Sequence, residues 1–163
     1  MNELTHNEGK NECIEVDGVR YSRHPIRTHV VTDQDNINDV CATYAAPAMV
    51  EGDVLFISEK CVACTQQRAI YMKDIKPRRL AVILSHFVTK TPHGIGLGIP
   101  ETMEMALQEC GTLRILFAAF IGAIGKLLGK RGWFYRIAGE RASSIDGPCP
   151  NTIPPHHECV VLG

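Results

Sequence analysis

V-E-G-D-V-L-F-I-S-E-K-C-V-A-C-T-Q-Q-R, residues 50–68, is the stretch that decides how the fold is interpreted. Four consecutive apolar residues at 54–57 follow a turn signal and predict a strand buried on both faces. Glu59 and Lys60 come directly after it, at the end where open α/β sheets place ligands. The pattern is consistent with an anion site that uses Lys60 and Arg68, and equally with an ordinary strand that has a polar exit.

The composition predicts one ordinary globular domain. The chain has 163 residues, of which 45% are hydrophobic and 21% charged, with a net charge of −1. Near-neutral charge argues against nucleic acid or a membrane as a partner. The polar start excludes a secretory signal, and the longest apolar run, 115–125, is shorter than the roughly 20 residues that cross a bilayer. We therefore expect a cytoplasmic protein with a flexible polar leader at 1–12 and one domain at 13–163.

Periodicity predicts a mixed α/β class, with a mixed sheet flanked by helices. Alternating apolar residues around Asp17-Gly18 predict a hairpin. An extended piece is expected at 26–32, and Asp33 or Asp35 is expected to cap the helix that follows. Residues 113–128 are apolar nearly all round and predict a buried helix. Further helices are expected near 37–44, 80–87 and 103–110, and strands near 69–72 and 159–162.

Cys61 and Cys64 form a C-x-x-C pair among seven cysteines. Such a pair is typical of a redox site or of half a zinc site. A zinc site needs a second pair, and the best candidates lack the standard spacing. The residues between the two thiols are apolar, which favours buried structural cysteines. The second-pair candidates are Cys149, His156, His157 and Cys159.

Three other segments could carry chemistry. Glycines 94, 96 and 98 precede a predicted helix and suggest either a phosphate cradle or a tight turn. Asp146, next to Gly147, could bind Mg²⁺ or Mn²⁺, or it could be an ordinary turn residue. His156, His157 and Glu158 are expected in an extended segment, where neighbouring side chains point to opposite faces and bind metal poorly.

The segment Glu51-Gly-Asp-Val-Leu-Phe-Ile-Ser-Glu-Lys60, followed by Thr65-Gln-Gln-Arg68, resembles E-G-D-V-L-V-V-T-S-K … A-E-G-R of the coenzyme F(420)-0:L-glutamate ligase family. Residues 25–31 lie where that family has its P-V-x-G-x-P-x-I nucleotide segment. Ile145-Asp146-Gly147 resembles its A-G-I-D turn. Residues 91–103 and 134–139 are similar to a bacterial, ligase-like branch. The resemblance extends over about residues 14–163.

The resemblance implies an amide-bond ligase. GTP and divalent metal, Mg²⁺ or Mn²⁺, would activate a coenzyme carboxylate as an acyl phosphate, which the amine of L-glutamate attacks. It implies catalysis by Lys60 and metal binding by Asp146. Its implied nucleotide contacts are Thr28, His29, Val30, Val31, Glu59 and Lys60.

Three departures from the family's pattern limit this expectation. Cys64 aligns with the family's second lysine, and a thiol cannot replace that charge. Arg27 and His29 replace small or apolar residues. The family also continues beyond Gly163 with further acidic ligands, so we expect this chain to lack the family's C-terminal part. The alternatives are a catalytically inactive binding or assembly module and, third, a C-x-x-C thiol or metal protein. In each case we expect a homo-oligomer, such as a homodimer, formed through 113–128 and 160–162.

Overall fold

Two units make up the part of the chain that the computed structural model describes, residues 8–88, 95–130, 132–149 and 156–163. The first unit comprises residues up to Val31 and Asp35–Phe56; the second comprises Thr32–Gln34 and Ile57–Gly163. Within the described ranges there are seven α-helices and two small antiparallel sheets. The predicted mixed α/β class is confirmed, although the strands pair antiparallel and not in a mixed sheet.

The hairpin of the first unit follows from its turn. Strands β1 (Cys13–Val16) and β2 (Val19–Ser22) pair antiparallel, with Val16 opposite Val19. Asp17 and Gly18 have φ values of 51° and 77°. Positive φ at both central residues matches a type I′ turn, whose twist suits a two-residue hairpin. The hairpin predicted from Asp17-Gly18 is confirmed.

A helical segment with three successive geometries completes the first unit. Asn36 is its N-cap, and its side chain accepts a hydrogen bond from the Asn38 backbone N–H at 2.8 Å. The predicted cap at Asp33 or Asp35 is therefore wrong, because the short Asn36 side chain stands one residue closer to the first turn. The segment consists of α1 (Ile37–Val40), a π-helical turn (Cys41–Ala45) and a 3-10 turn (Ala46–Ala48).

Residues 54–57 form no strand in the described structure, so the predicted buried strand is wrong. The Phe56 side chain is 90% exposed, and the other three side chains are exposed as well. β-Branched and aromatic residues favour a strand only where a partner strand and a covered face exist. In the described ranges both sheets are built by other segments. The chain passes instead into helix α2 (Glu59–Thr65).

The sheet of the second unit has three strands: β3 (Ala69–Tyr71), β4 (Ile145–Asp146) and β5 (Cys159–Leu162). Their order is β3–β5–β4, and both outer strands pair antiparallel with β5. All four residues of β5 are buried. The expectation that 160–162 form an uncovered edge, and hence an association surface, is wrong because β5 is the central strand.

Five further helices follow α2 in the described part of the second unit, and one of them lies at its centre. They are α3 (Arg79–Phe87), α4 (Pro100–Glu109), α5 (Thr112–Leu127), α6 (Trp133–Ala138) and α7 (Glu140–Ser143). Helix α4 is the central one, because its residues 102–107 are all buried. The predicted apolar face at Met103, Ala106 and Leu107 is confirmed. Gly111, with φ of 86°, separates α4 from α5 at a bend of 118°.

Helix α5 is buried on one side only, so the expectation that it is buried all round is wrong. Ile115 and Ala118 are buried in the core, whereas Leu113 is 83% exposed. Phe117 and Phe120, which follow Leu113 at helical spacing on the same face, are exposed too. A homo-oligomer that covers this outer face stays a prediction.

The two glycines of α5 lie where α6 approaches it. A Cβ atom at Gly122 would lie 3.0 Å from Cβ of Phe134, and one at Gly125 would lie 3.1 Å from the Trp133 ring. The absence of side chains therefore allows α6 to pack closely, which offsets the lower helix propensity of glycine. In the described ranges no single helix is long and apolar enough to cross a membrane; only the bent pair α4–α5 meets the length and composition test.

Candidate functional site

Lys60 and Asp146 meet at the surface of the second unit. Lys60 lies in the first turn of α2, and Asp146 is the last residue of β4. The Lys60 Nζ atom is 2.6 Å from Asp146 Oδ2, with the two side chains 37% and 48% exposed. An exposed ion pair contributes only about 0–1 kcal/mol to stability. A ligand can therefore separate the two charges at little cost.

Strand β5 holds both members of this pair in position. Ala63 of α2 packs against Cys159 and Val161 of β5. Asp146 is paired with Val161 in the β4–β5 register. The helix that carries Lys60 and the strand that carries Asp146 thus rest on the same buried strand. The two residues, far apart in sequence, become neighbours for this reason.

Two other charged residues near this pair have different surroundings. Glu59 is exposed, and its carboxylate lies so close to Gly163 that a Cβ there would overlap it. Arg68 donates from Nε to the Leu162 carbonyl at 2.9 Å and from Nη2 to Glu109 at 3.1 Å. The Arg68 guanidinium is therefore engaged in holding β5. Lys60 and Arg68 are the two residues that the sequence suggests for binding an anion. Of these two, Lys60 is the one that lies beside Asp146.

The predicted nucleotide segment, residues 28–31, belongs to the first unit, whereas Glu59, Lys60 and Asp146 belong to the second. The Thr28 hydroxyl donates to the His29 carbonyl at 2.8 Å. Val30 is exposed and Val31 is half-buried. The structure thus brings together the predicted catalytic residue and the predicted metal ligand. The nucleotide contacts of residues 28–31 stay a prediction.

His29 makes two side-chain hydrogen bonds that the sequence does not reveal. Its Nδ1 lies 3.0 Å from the Tyr44 hydroxyl, and its Nε2 lies 3.0 Å from Asp35 Oδ1. The sequence indicates Asp35 only as a candidate cap and Tyr44 only as one member of an apolar stripe. The one sequence signal for these contacts is His29 itself, because it is a polar residue at a position where the family has a small or apolar one.

The donors for a metal ion are few. Across the described ranges, no three His, Cys, Asp or Glu residues cluster in a way that could hold a metal. Asp146 would therefore bind a metal ion as a single carboxylate ligand. Mg²⁺ is commonly bound by one or two carboxylates together with water and substrate phosphates. Asp146 fits a cation that arrives with a nucleotide, and the described residues do not form a two-metal site from protein ligands alone.

The C-x-x-C pair lies on α2, and neither cysteine is in a disulfide. Cys64 is buried and Cys61 is half-buried. Burial, and then the neighbouring Cys61, raises the pKa of the Cys64 thiol. Burial, and then Cys64, raises the pKa of Cys159. Thiols that stay protonated are poor nucleophiles and poor metal ligands, so the burial of Cys64 supports the structural interpretation.

A prediction about these cysteines follows. We expect no stoichiometric zinc and no Cys61–Cys64 disulfide in the purified, reduced protein. Cys64→Ser should lower the free energy of unfolding by about 1–3 kcal/mol, because it buries a hydroxyl in place of a thiol. Cys61→Ser, at the less buried position, should cost less. Elemental analysis and denaturant melts measure both effects, and one zinc per chain that the double variant loses would contradict the prediction.

The glycine loop before α4 is a closed turn in its described part. Gly96 has φ of 51°, and Leu97 is fully buried. Burial raises the pKa of Tyr135, against the lowering effect of a hydrogen bond with the Leu97 backbone. The Gly98 backbone N–H donates to the Ile95 carbonyl at 3.0 Å, which closes the turn. The turn interpretation is therefore favoured, while Gly94 lies outside the described residues.

The segment His156–Glu158 is a 3-10 turn and not the extended segment predicted. Its three polar residues precede β5, and the turn delivers the chain to the sheet. His157 Nε2 lies 3.7 Å from Glu158 Oε1. The segment belongs to no metal-binding group among the described residues.

Comparison with known proteins identifies the family. The family model described as F420-0:Gamma-glutamyl ligase matches residues 25–130. The match covers more than half of the 163 residues, and the chain belongs to this family. The resemblance seen in residues 51–68 is thus confirmed. The family is one of ligases in coenzyme F420 biosynthesis, and its substrates are small molecules. No curated protein and no solved structure matches the chain.

Proposed function

We propose that this chain takes part in GTP-dependent γ-glutamyl ligation. A carboxylate of the coenzyme precursor is activated as an acyl phosphate, and the amine of L-glutamate then displaces phosphate to form the amide. Family membership supports the reaction class. The observation that carries the proposal is the contact between Lys60 Nζ and Asp146 Oδ2 at 2.6 Å.

The ion pair is suited to an exchange of partners. In the free chain, Lys60 and Asp146 neutralise each other. A nucleotide phosphate offers Lys60 an anion, and a divalent cation offers Asp146 a stronger positive charge. An exposed ion pair stabilises the chain by at most about 1 kcal/mol. Both exchanges are therefore favourable when the phosphate and the divalent cation are present. Lys60 then opposes the negative charge that develops in phosphoryl transfer.

Asp146 would hold Mg²⁺ or Mn²⁺, which supplies positive charge to the phosphates when bound. Asp146 itself fixes the position of that charge next to Lys60. Glu59, one residue before Lys60, is exposed and available as an acceptor for a ribose hydroxyl or a guanine N–H group. Residues 28–31 remain proposed nucleotide contacts in the first unit.

One observation favours an alternative, a ligase-like binding or assembly module without catalysis. Cys64 stands where the resembling family has its second lysine, and its side chain is 5% exposed. A buried neutral thiol cannot contact a phosphate. The described residues also supply no protein-only metal cluster. Such a module would still bind nucleotide through Lys60.

We predict that GTP with Mn²⁺ raises the melting temperature, since a ligand that binds only the folded state stabilises it. At a ligand concentration 100 times the dissociation constant, the folded state is stabilised by about 2.7 kcal/mol. Lys60→Ala should abolish the shift. Asp146→Asn should abolish the additional shift that Mn²⁺ contributes over GTP alone. Differential scanning fluorimetry measures both.

Lys76→Ala is the matched control, because Lys76 is another exposed lysine of the same unit. The control should respond to GTP as the parent does. A Lys60→Ala protein with the parental shift would refute the assigned site. Phosphate release with GTP, Mn²⁺, precursor and glutamate then separates the two functions: turnover identifies a ligase, and binding without turnover identifies the module.

A further inference from the structure

Helices α5 and α6 form an open groove on the surface of the second unit. Its volume is about 340 Å³, and it is lined by three apolar or aromatic side chains and one cation: Ile121, Trp133, Ile137 and Arg136. Small-molecule sites in proteins have volumes of about 300–1,000 Å³ and combine apolar walls with a few polar groups. The groove is at the small end of this range and suits a ligand of one or two rings.

Contacts between the two helices hold the groove in shape. A Cβ atom at Gly125 would lie 3.1 Å from the Trp133 ring, so the ring packs directly against the backbone of α5. Near the other end of α6, Arg114 Nε donates to the Ile137 carbonyl at 2.9 Å. Both ends of α6 are therefore fastened to α5 in the free chain. A site that is already formed loses little binding free energy to ordering.

The groove lies in a positively charged part of the chain. Lys130 Nζ is 5.8 Å from the centroid of the Trp133 ring. The Arg136 side chain is exposed, and its guanidinium has no acceptor among the described residues. Between Glu109 and Glu140 the sequence has no acidic residue but five basic ones: Arg114, Lys126, Lys130, Arg131 and Arg136. The net charge of −1 for the whole chain does not reveal this local excess.

We propose that this groove binds a small aromatic anion, with its ring against Trp133 and its anionic group at Arg136. A guanidinium forms bidentate, charge-assisted hydrogen bonds with a carboxylate, a sulfonate or a phosphate. The apolar lining buries the ring of the ligand. A second copy that docked through the same face would bring a second acid-free, basic surface, and like charges disfavour that contact. The groove shares no residue with the Lys60–Asp146 site, so it does not depend on the proposed ligation.

The test uses the fluorescence of Trp133, which is the only tryptophan of the chain and therefore reports on the groove directly. The full chain is titrated with para-nitrobenzoate, an aromatic carboxylate that quenches indole fluorescence, and with para-nitrobenzamide, its uncharged analogue. Free N-acetyltryptophanamide gives the collisional quenching by each compound. We expect saturable quenching by the carboxylate, none beyond collisions by the amide, and weaker carboxylate binding at higher salt, because salt screens exposed charges.

Arg136→Gln should weaken binding of para-nitrobenzoate about tenfold, the effect of losing one hydrogen bond to a charged group. Lys126→Gln is the matched control, because Lys126 is an exposed cation of α5 that does not line the groove. It should bind as the parent does. The absence of saturable quenching in the parent, or equal quenching by acid and amide, would overturn the proposal without any variant.

Two further outcomes would contradict the proposal as well. One is an Arg136→Gln chain with the parental affinity. The other is a groove that a second copy fills, which would give a doubled mass in light scattering and no saturable quenching. A chain that fails to bind GTP can still bind the aromatic anion, so the two proposals fail separately.

Discussion

Arg78→Ala is expected to lower the free energy of unfolding by about 3 kcal/mol, because it leaves a carboxylate buried without its main counter-charge. That carboxylate belongs to Glu104 in α4, whose side chain is 3% exposed. Arg78 Nε donates to both Glu104 oxygens, at 2.9 and 3.1 Å, and the Arg78 backbone N–H donates at 3.0 Å. Gln108 adds a further hydrogen bond at 2.9 Å.

Arg79→Ala is the control, since Arg79 is the adjacent, exposed arginine. It should change the denaturation midpoint by little. Equal midpoints for the two variants would show that the Arg78–Glu104 pair is not a stabilising element. Urea denaturation at neutral pH measures the difference.

The pair also predicts a pH dependence. Burial raises the pKa of Glu104, but the hydrogen bonds from the Arg78 backbone, Gln108 and the Arg78 side chain outweigh it, so the pKa lies below its ordinary value. A lowered folded-state pKa means that the unfolded chain takes up the proton first. The stabilisation is therefore complete above the ordinary carboxyl pKa and is lost as the pH falls through the lowered one. Arg78→Ala should reduce this acid-side loss.

Leu107→Ala is expected to cost about 2–5 kcal/mol, the usual range for truncating a leucine in a packed core. Leu107 is 2% exposed at the centre of α4. Leu113→Ala makes the same change at an 83% exposed position of α5 and should stay within about 0.5 kcal/mol. Chemical denaturation compares the two directly. A cost at Leu113 as large as that at Leu107 would mean that the outer face of α5 is covered in solution.

The features that the sequence predicts correctly depend on local signals. The turn at Asp17-Gly18 determines its hairpin, and the apolar spacing of residues 103–110 determines the buried face of α4. The failure at 54–57 has a non-local cause. An apolar run shows that a segment favours a strand, but not whether a partner strand is available. For the same reason the sequence suggests an edge position for β5, although it is the central strand of its sheet.

The candidate site likewise has residues that the sequence indicates and contacts that only the folded structure reveals. Short motifs indicate Lys60 and Asp146 separately, but their contact depends on β5, which contacts both of their supporting elements. The Asp35–His29–Tyr44 chain has no motif spacing, because a turn and a π-helical segment bring its members together. Pairwise geometry of this kind is a property of the folded chain and not of residue spacing.

The central position of β5 has a consequence for the order of events during synthesis. Ala69 of β3 pairs with Val161 of β5, and Asp146 of β4 pairs with the same residue. A ribosome releases β3 and β4 before β5, so neither outer strand has its partner while the helices between them emerge. The helices can form early from local contacts, whereas the sheet must wait. The Lys60–Asp146 site is therefore assembled late, after residue 161 has left the ribosome.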